Sequence, residues 1–370
     1  MFTNNSDLAE ASFEISIPLP STSRAEVVDD DFLDLLGSKR IPHASVAKQD
    51  WAYRLFLDWE TYRNSRPDPC QHIENILTID SDVGLSRTLA KFIMEVKPRR
   101  AGQSDYAGKT LYEIIASLQS FLRRNGKTVT LLNIQNPGNF KVLHDALDFR
   151  MKELARAGVG ASTKRAPVIS LELEEKLWKS NICNMDTPVG LYNSIFYLVG
   201  LNFALRGGRE LYNLRIENFV VESSVSGERS LVFHEDVSKS NQGGLMHRKI
   251  NAKHVEVKEN TEKPTRCVVR AFSEYVNRCP KVNRPSAFFL QPIYSPETEI
   301  WFSTQRVGIH KLNSTLSKIT EKAGCSQRFT NHSLRRTAAT RTYQAGFDDK
   351  AVSSVTGHRS TAIQVKKKLC

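Results

Sequence analysis

Hydrophobic positions recur at helical spacing through the first half of the chain. Trp51, Leu55 and Trp59 open the pattern, and order is expected to begin there. Leu85, Leu89, Phe92, Ile93 and Val96 form a second stripe that stops before Pro98. After a turn over 102–108, Thr110 is expected to cap a helix that buries Leu111, Ile114, Ile115, Leu118, Phe121 and Leu122. Phe140, Val142, Leu143 and Leu147 begin a third stripe, which runs into Arg150, Lys152 and Arg156. The pattern predicts a small helical bundle with basic surfaces.

The pattern breaks at residues 156–168, a Gly-rich basic stretch that reads as a linker. Beyond it the chain is mixed. Ser170 and Glu172 to Glu175 open a helix, and the apolar run from Leu191 to Leu205 reads as another. Ser230 to His234 reads as a strand and Lys249 to Val257 as its partner, joined by the turn residues Ser240, Asn241, Gln242, Gly243 and Gly244. Helices are expected at Cys267 to Arg278, His310 to Ala323 and Asn331 to Ala345, with a last one after Gly357. No apolar run reaches the roughly 20 residues of a membrane span, and Met1 to Asp7 lacks a basic-then-apolar leader.

Charge sharpens the reading. The 370 residues carry a net +12. Residues 1–37 hold eight acids against Arg24, a balance of −7, so the remainder carries +19. The segment 1–48, rich in Ser, Pro and Asp, reads as a disordered acidic tail. A basic folded part calls for a polyanionic partner, nucleic acid first. The six cysteines are scattered at 70, 183, 267, 279, 325 and 370 without a C-x-x-C pair, which argues against a zinc or disulfide framework.

Three features together carry chemistry. Arg206, followed by Gly207 and Gly208, closes the apolar run ending at Leu205. Lys239 sits at the predicted hairpin tip, between Ser238 and Ser240. His332 and Arg335 stand three apart on one helix, so they share a face, and Gly357-His358 follows. Each alone is an ordinary surface residue. Brought together, two guanidinium forks would grip the non-bridging oxygens of one phosphate. Lys239 could protonate a leaving oxygen, and His332 and His358 could move protons or hydrogen-bond the phosphorane. Such a site requires no metal or organic cofactor.

This Arg, Lys, His-x-x-Arg, His order resembles the catalytic signature of tyrosine recombinases, the phage integrase family. Asn202 to Gly208, Val237 to Leu245, Phe288 to Pro292 and Thr330 to Thr337 are similar to the recombinase-like domain of Crypton DNA transposons, a eukaryotic branch. They also resemble that domain's domesticated relatives at the C-termini of MYM-type zinc-finger and glutamine-rich proteins. The likeness covers about residues 80–365. It implies a mostly α fold with a small antiparallel β-sheet, arranged as a two-domain DNA clamp. A helical SAM-like core-binding domain would span 49–155, the linker 156–168, and an α+β recombinase domain 169–370. By the resemblance Arg206, Lys239, His332, Arg335 and His358 take the catalytic, phosphate-activating roles.

Two departures stand out. The family usually carries Glu three residues past the first arginine, where it buttresses the helix; here that residue is Arg209, with Glu210 next. The nucleophilic tyrosine would fall at Lys366 or Lys367, and no tyrosine follows Tyr343, which reads as a core residue. A lysine amine is a poor substitute, being protonated to about pH 10 unless buried. Loss of a nucleophile commonly costs many orders of magnitude in rate. The expectation is a DNA-binding protein without cleavage activity. A reading frame continuing past Cys370, or a tyrosine donated in trans, would restore the chemistry.

Double-stranded DNA is the expected partner, with room for a homo-oligomer on DNA and no role for a membrane. Candidate backbone contacts are Arg99, Arg100, Arg123, Arg124, Lys164 and Arg165, then Arg248, Lys249, Arg336 and Arg359. The alternative is a nuclear chromatin- or transcription-associated module that uses the same domain for interaction alone.

Overall fold

A computed structural model describes residues 27–39, 41–68, 72–99, 102, 104–161, 165–236 and 252–356. Among them the fold is mostly helical with two small antiparallel sheets. The chain divides into two compact units between Thr163 and Lys164, inside the Gly-rich basic stretch.

The first unit holds helices α1 (Asp30–Lys39), α2 (His43–Asn64), α3 (Asp82–Glu95), α4 (Gly108–Arg124) and α5 (Lys141–Arg156). Helix α3 packs on α5, and α2 on α4. Leu85, Leu89, Phe92, Ile93 and Val96 are all buried, as their spacing requires. Phe56, Trp59 and Phe92 form an aromatic group in which Phe92 meets the other two edge to face. Trp59 donates from its indole nitrogen to Glu95 at 3.0 Å, so its polar edge is satisfied.

Several expectations shift here. Helix α1 and the start of α2 lie within the segment read as disordered tail, so ordered elements precede Trp51. The buried face of α2 is Ala52, Phe56 and Trp59; Trp51 is exposed, one position out of register with the face that packs. Thr110 is not a cap: α4 starts at Gly108 with Ala107 as N-cap and no side-chain cap bond. Gly108 lies against Met151 of α5, where even a Cβ would come within 3.2 Å.

The second unit is built on α6 (Leu171–Lys179), α7 (Pro188–Asn202), α8 (Arg209–Asn213), α9 (Val268–Arg278), α10 (Ile309–Lys322), α11 (Asn331–Gln344) and α12 (Asp349–Thr356). Ser170 caps α6 through Leu173 N–H at 3.2 Å. Thr187 caps α7, with Pro188 in the first turn where no N–H is needed. Helix α7 is buried on all sides from Gly190 to Gly200 and packs against α9, α10 and α11. Its continuous apolar run is that of a central helix.

Strands β1 (Phe219–Ser223), β2 (Arg229–His234) and β3 (His254–Lys258) form an antiparallel sheet in that order, and β4 (Leu290–Pro292) pairs with β5 (Phe302–Arg306). Phe219 pairs with Phe233, and Phe233 with Val255, on the inner face. Phe219 also meets Phe203, Phe272 and Phe288, which ties the sheet to the end of α7 and to α9. Strand β1 has no counterpart in the sequence expectations. The partner strand begins at His254; residues 249–251 and the turn 240–244 lie outside the described residues. Helix α12 precedes Gly357, and the helix expected after that residue also lies outside them. Tyr343 is 47% exposed on the last turn of α11, so it is not a core residue.

Candidate functional site

The site is organised by the C-terminal end of α7. Helix C-termini leave carbonyls without intrahelical partners and carry partial negative charge. Here two carbonyls just past the helix each receive a cation. Ala204, held at φ 46°, turns its carbonyl to the Arg335 guanidinium at 2.6 Å. The Phe203 carbonyl accepts from the Lys253 ammonium. A second nitrogen of Arg335 donates to the Thr356 carbonyl at the end of α12. Arg335 is thus fixed by three segments: α11, the end of α7 and the end of α12.

Arg206 follows two residues after Ala204. Its backbone N–H donates to the Glu210 carboxylate at 3.0 Å, and its guanidinium lies 3.5 Å from the same carboxylate. Glu210 therefore anchors Arg206 one position later than the acid of the resembled pattern. The two glycines that follow have separate reasons. A Cβ on Gly207 would stand 2.7 Å from Asn331 at the start of α11. Gly208 sits at φ 71°, a conformation open to glycine, and its N–H donates to Asn313 at 3.0 Å. The motif lets the chain pass tightly over the N-terminus of the helix that carries His332 and Arg335.

Helix α11 starts with a reciprocal cap, in which Thr330 and Ser333 exchange side-chain and backbone bonds. That fixes the first turn, where His332 is exposed and Arg335 buried. Gly200 of α7 has no room for a Cβ, which would meet Leu334 at 2.7 Å, so the two helices cross closely just behind the site.

Electrostatics mark the cluster. Burial lowers the Arg335 guanidinium to about 10, with the nearby charge of Arg206 adding to the fall and Glu210 and Glu235 opposing it. Burial lowers Lys253 to about 7, helped by Arg335 and then Arg206, and again opposed by Glu210 and Glu235. The Lys253 amine also lies over the Phe233 ring at 5.7 Å. Glu235 brackets the lysine backbone, accepting the Lys253 N–H at 3.2 Å and donating its own N–H to the Lys253 carbonyl at 2.9 Å. Among the described residues neither Arg335 nor Lys253 has a carboxylate within ion-pair distance. Lys253 and Arg335 thus bring positive charge to the two carbonyls just before Arg206, with Glu210 and Glu235 as the nearby carboxylates, and such a concentration of positive charge favours an anion.

Of the five residues singled out in the sequence, Arg206 and Arg335 are near enough for their charges to interact, and His332 lies on the same helix as Arg335. Lys239 and His358 lie outside the described residues, as do Lys366 and Lys367. Lys253 and Glu235 have no place in the sequence pattern, and Glu210 stands there only as the acid one place beyond the expected position. Lys253 sits between Ala252 and His254 with no pattern around it, and its only sequence signal is its place beside an apolar strand.

The candidate DNA contacts are varied. Arg99 is 84% exposed, 3.4 Å from Asp58. Arg123 donates to the Val129 carbonyl and the Thr130 hydroxyl, and Arg124 pairs with Asp50, so both guanidinium groups have partners within their unit. Arg165 is exposed. Arg336 is half-buried and donates to the Ala166 carbonyl at 2.5 Å. Arg100, Lys164, Arg248, Lys249 and Arg359 lie outside the described residues. No described helix is long and apolar enough to cross a membrane, and the described residues contain no cluster of three or more metal-binding side chains.

Residues 168–321 match the family model described as "Domain of unknown function (DUF3504)". The chain is similar to human Zinc finger MYM-type protein 3, 24% identical over 288 residues, which is 73% of this chain and 20% of that protein. It is also similar to mouse Transcriptional regulator QRICH1, 20% identical over 235 residues, 61% of this chain and 29% of that protein. The chain therefore spans between a fifth and a third of the length of these relatives. Among solved structures, the Tn1549 transposon integrase bound to transposon right end DNA aligns over 90% of this chain and 92% of its own, at 15% identity and TM-score 0.46. XerA recombinase aligns over 90% and 89%, at 16% identity and TM-score 0.34.

Proposed function

We propose that this chain is a DNA-binding protein descended from a tyrosine recombinase of the Crypton branch, and that it grips a duplex backbone phosphate without cutting it. The observation that carries the reading is the seating of Lys253 and Arg335 on the carbonyls of Phe203 and Ala204, three and two residues before Arg206 at the end of α7. Segments 47 and 129 residues from Arg206 bring like charges together, which a fold tolerates at a cost unless an anion joins them. His332 on the exposed face of α11 completes the described part of the site. Lys239 and His358 are assigned to it from the sequence pattern. Arg99 in the first unit and Arg165 in the second add backbone contacts.

Cleavage is absent in this reading because Lys366 and Lys367 stand where the nucleophilic phenol is expected. Without it no 3′-phosphotyrosyl bond forms in cis. The likeness to mouse Transcriptional regulator QRICH1 favours a nuclear, transcription-associated setting for such a non-cleaving domain. The test is incubation of the purified chain with a nicked suicide duplex. The expected result is a salt-sensitive retarded complex and no denaturant-stable adduct. A covalent protein–DNA band overturns the loss of cleavage, and failure to retard any duplex overturns the DNA reading.

A further inference from the structure

One pair of metal-ligating side chains lies outside the cationic cluster. His234 at the end of β2 and His254 at the start of β3 are direct cross-strand partners. The ladder fixes how near they come. Glu235 N–H donates to the Lys253 carbonyl and Glu259 N–H to the Arg229 carbonyl, so the odd-numbered residues of β2 occupy the hydrogen-bonded rungs. His234 and His254 therefore share a non-hydrogen-bonded rung, where facing side chains lie closest. Both are exposed, on the outer face of the sheet, opposite the buried Phe233 and Val255. Their Nδ1 atoms are 3.4 Å apart, with ring centroids 4.9 Å apart.

We propose that this pair is a two-histidine chelate for a divalent transition cation of the zinc class. Two Zn–N bonds of about 2.1 Å at a tetrahedral angle hold their nitrogens about 3.4 Å apart. The observed Nδ1 separation of 3.4 Å equals that bite, and ligation requires the Nε2–H tautomer of both rings. Imidazole suits zinc, copper and nickel, whereas magnesium and calcium require oxygen ligands. Among the described residues no third His, Cys, Asp or Glu joins the pair, so the remaining positions fall to water or to an incoming donor.

The location gives the ion a purpose. The pair sits where β2 and β3 lead into residues 237–251, the segment that contains Lys239. Lys253 precedes His254 and faces the opposite side, toward the Phe203 carbonyl. A cation shared by the two imidazoles ties the strands together on the outer face directly behind that lysine. The chelate does not depend on whether the protein binds DNA.

The test is calorimetric titration of the full chain, stripped with EDTA and desalted, with zinc chloride. The His234→Asn and His254→Asn variants and the double variant are titrated alongside. Metal-free thermal melts of all four proteins check that the exposed substitutions leave the fold intact. Wild type is expected to bind one equivalent, and each single variant to bind on the order of 10²-fold more weakly as one arm of the chelate is lost. The double variant should lose little more. Equal affinity in wild type and variants, as binding through cysteines would give, overturns the assignment, as does the absence of zinc binding by wild type.

Discussion

Replacing Lys253 with methionine is expected to stabilise the second unit while weakening its hold on DNA. The amine is buried, with 8% of the residue accessible, and its proton affinity falls from 10.5 to about 7. At about 1.4 kcal/mol per pH unit, keeping that charge inside the fold costs ~5 kcal/mol below pH 7. Methionine removes the cost and keeps the stem, but leaves the Phe203 carbonyl without its donor, a loss of ~1–3 kcal/mol. The net gain is ~2–4 kcal/mol at pH 6. The sign of the pH dependence follows from linkage. Between about 7 and 10.5 the unfolded chain holds the lysine proton and the folded chain does not, so wild-type stability rises with pH across that window. The gap between variant and wild type therefore narrows by ~2–3 kcal/mol from pH 6 to pH 9. Unfolding of the second unit can be followed by urea titration with thiol labelling at Cys183, which is 1% exposed and whose thiol burial pushes up to about 12. A variant that is less stable than wild type at pH 6, or a gap that does not change with pH, would refute the account of Lys253 as a costly buried cation.

Two further substitutions probe the scaffold. Gly200→Ala drives a methyl group against Leu334, which a Cβ would approach to 2.7 Å, and should cost ~1–3 kcal/mol. Because it displaces α11, duplex affinity should fall with stability; thermal melts and mobility shifts on the same protein check this, and unchanged affinity would show that α11 is not part of the site. Glu210→Ala removes the acceptor of the Arg206 N–H and one of the two carboxylates facing the cluster. It should destabilise by ~1–3 kcal/mol, as an unsatisfied donor does. The loss should be smaller in a Lys253→Met background, where one of the repelling charges is gone, as a double-mutant cycle of urea midpoints would show.

The elements most legible in the sequence were those whose apolar spacing matches one helix face, such as Leu85 to Val96 in α3. Helix α7 was legible for the opposite reason, as an apolar run without a polar face. Strand β1 is not legible because Phe-Val-Val-Glu-Ser is short and only Phe219 is buried, so it lacks a sustained alternation. Helix α2 is legible from its spacing, but its buried face lies one residue on, because Ala52 and not Trp51 goes inside. Of the site, Arg206, His332 and Arg335 were legible because their order and neighbours form a pattern. Lys253 was not, because its significance comes from the carbonyl of Phe203, 50 residues away, and from burial that only the tertiary structure creates. The same holds for Glu210: the sequence marks a misplaced acid, and the geometry gives it Arg206 as a partner.

The most direct test of the central claim is the salt dependence of duplex binding, measured by fluorescence anisotropy for wild type and Arg206→Ala between 50 and 200 mM salt, a range over which phosphate contacts dominate. The account predicts salt-sensitive binding by wild type, and for the variant a loss of roughly 10- to 100-fold in affinity with a salt slope shallower by about one. Binding by the variant with the affinity and slope of wild type would contradict it.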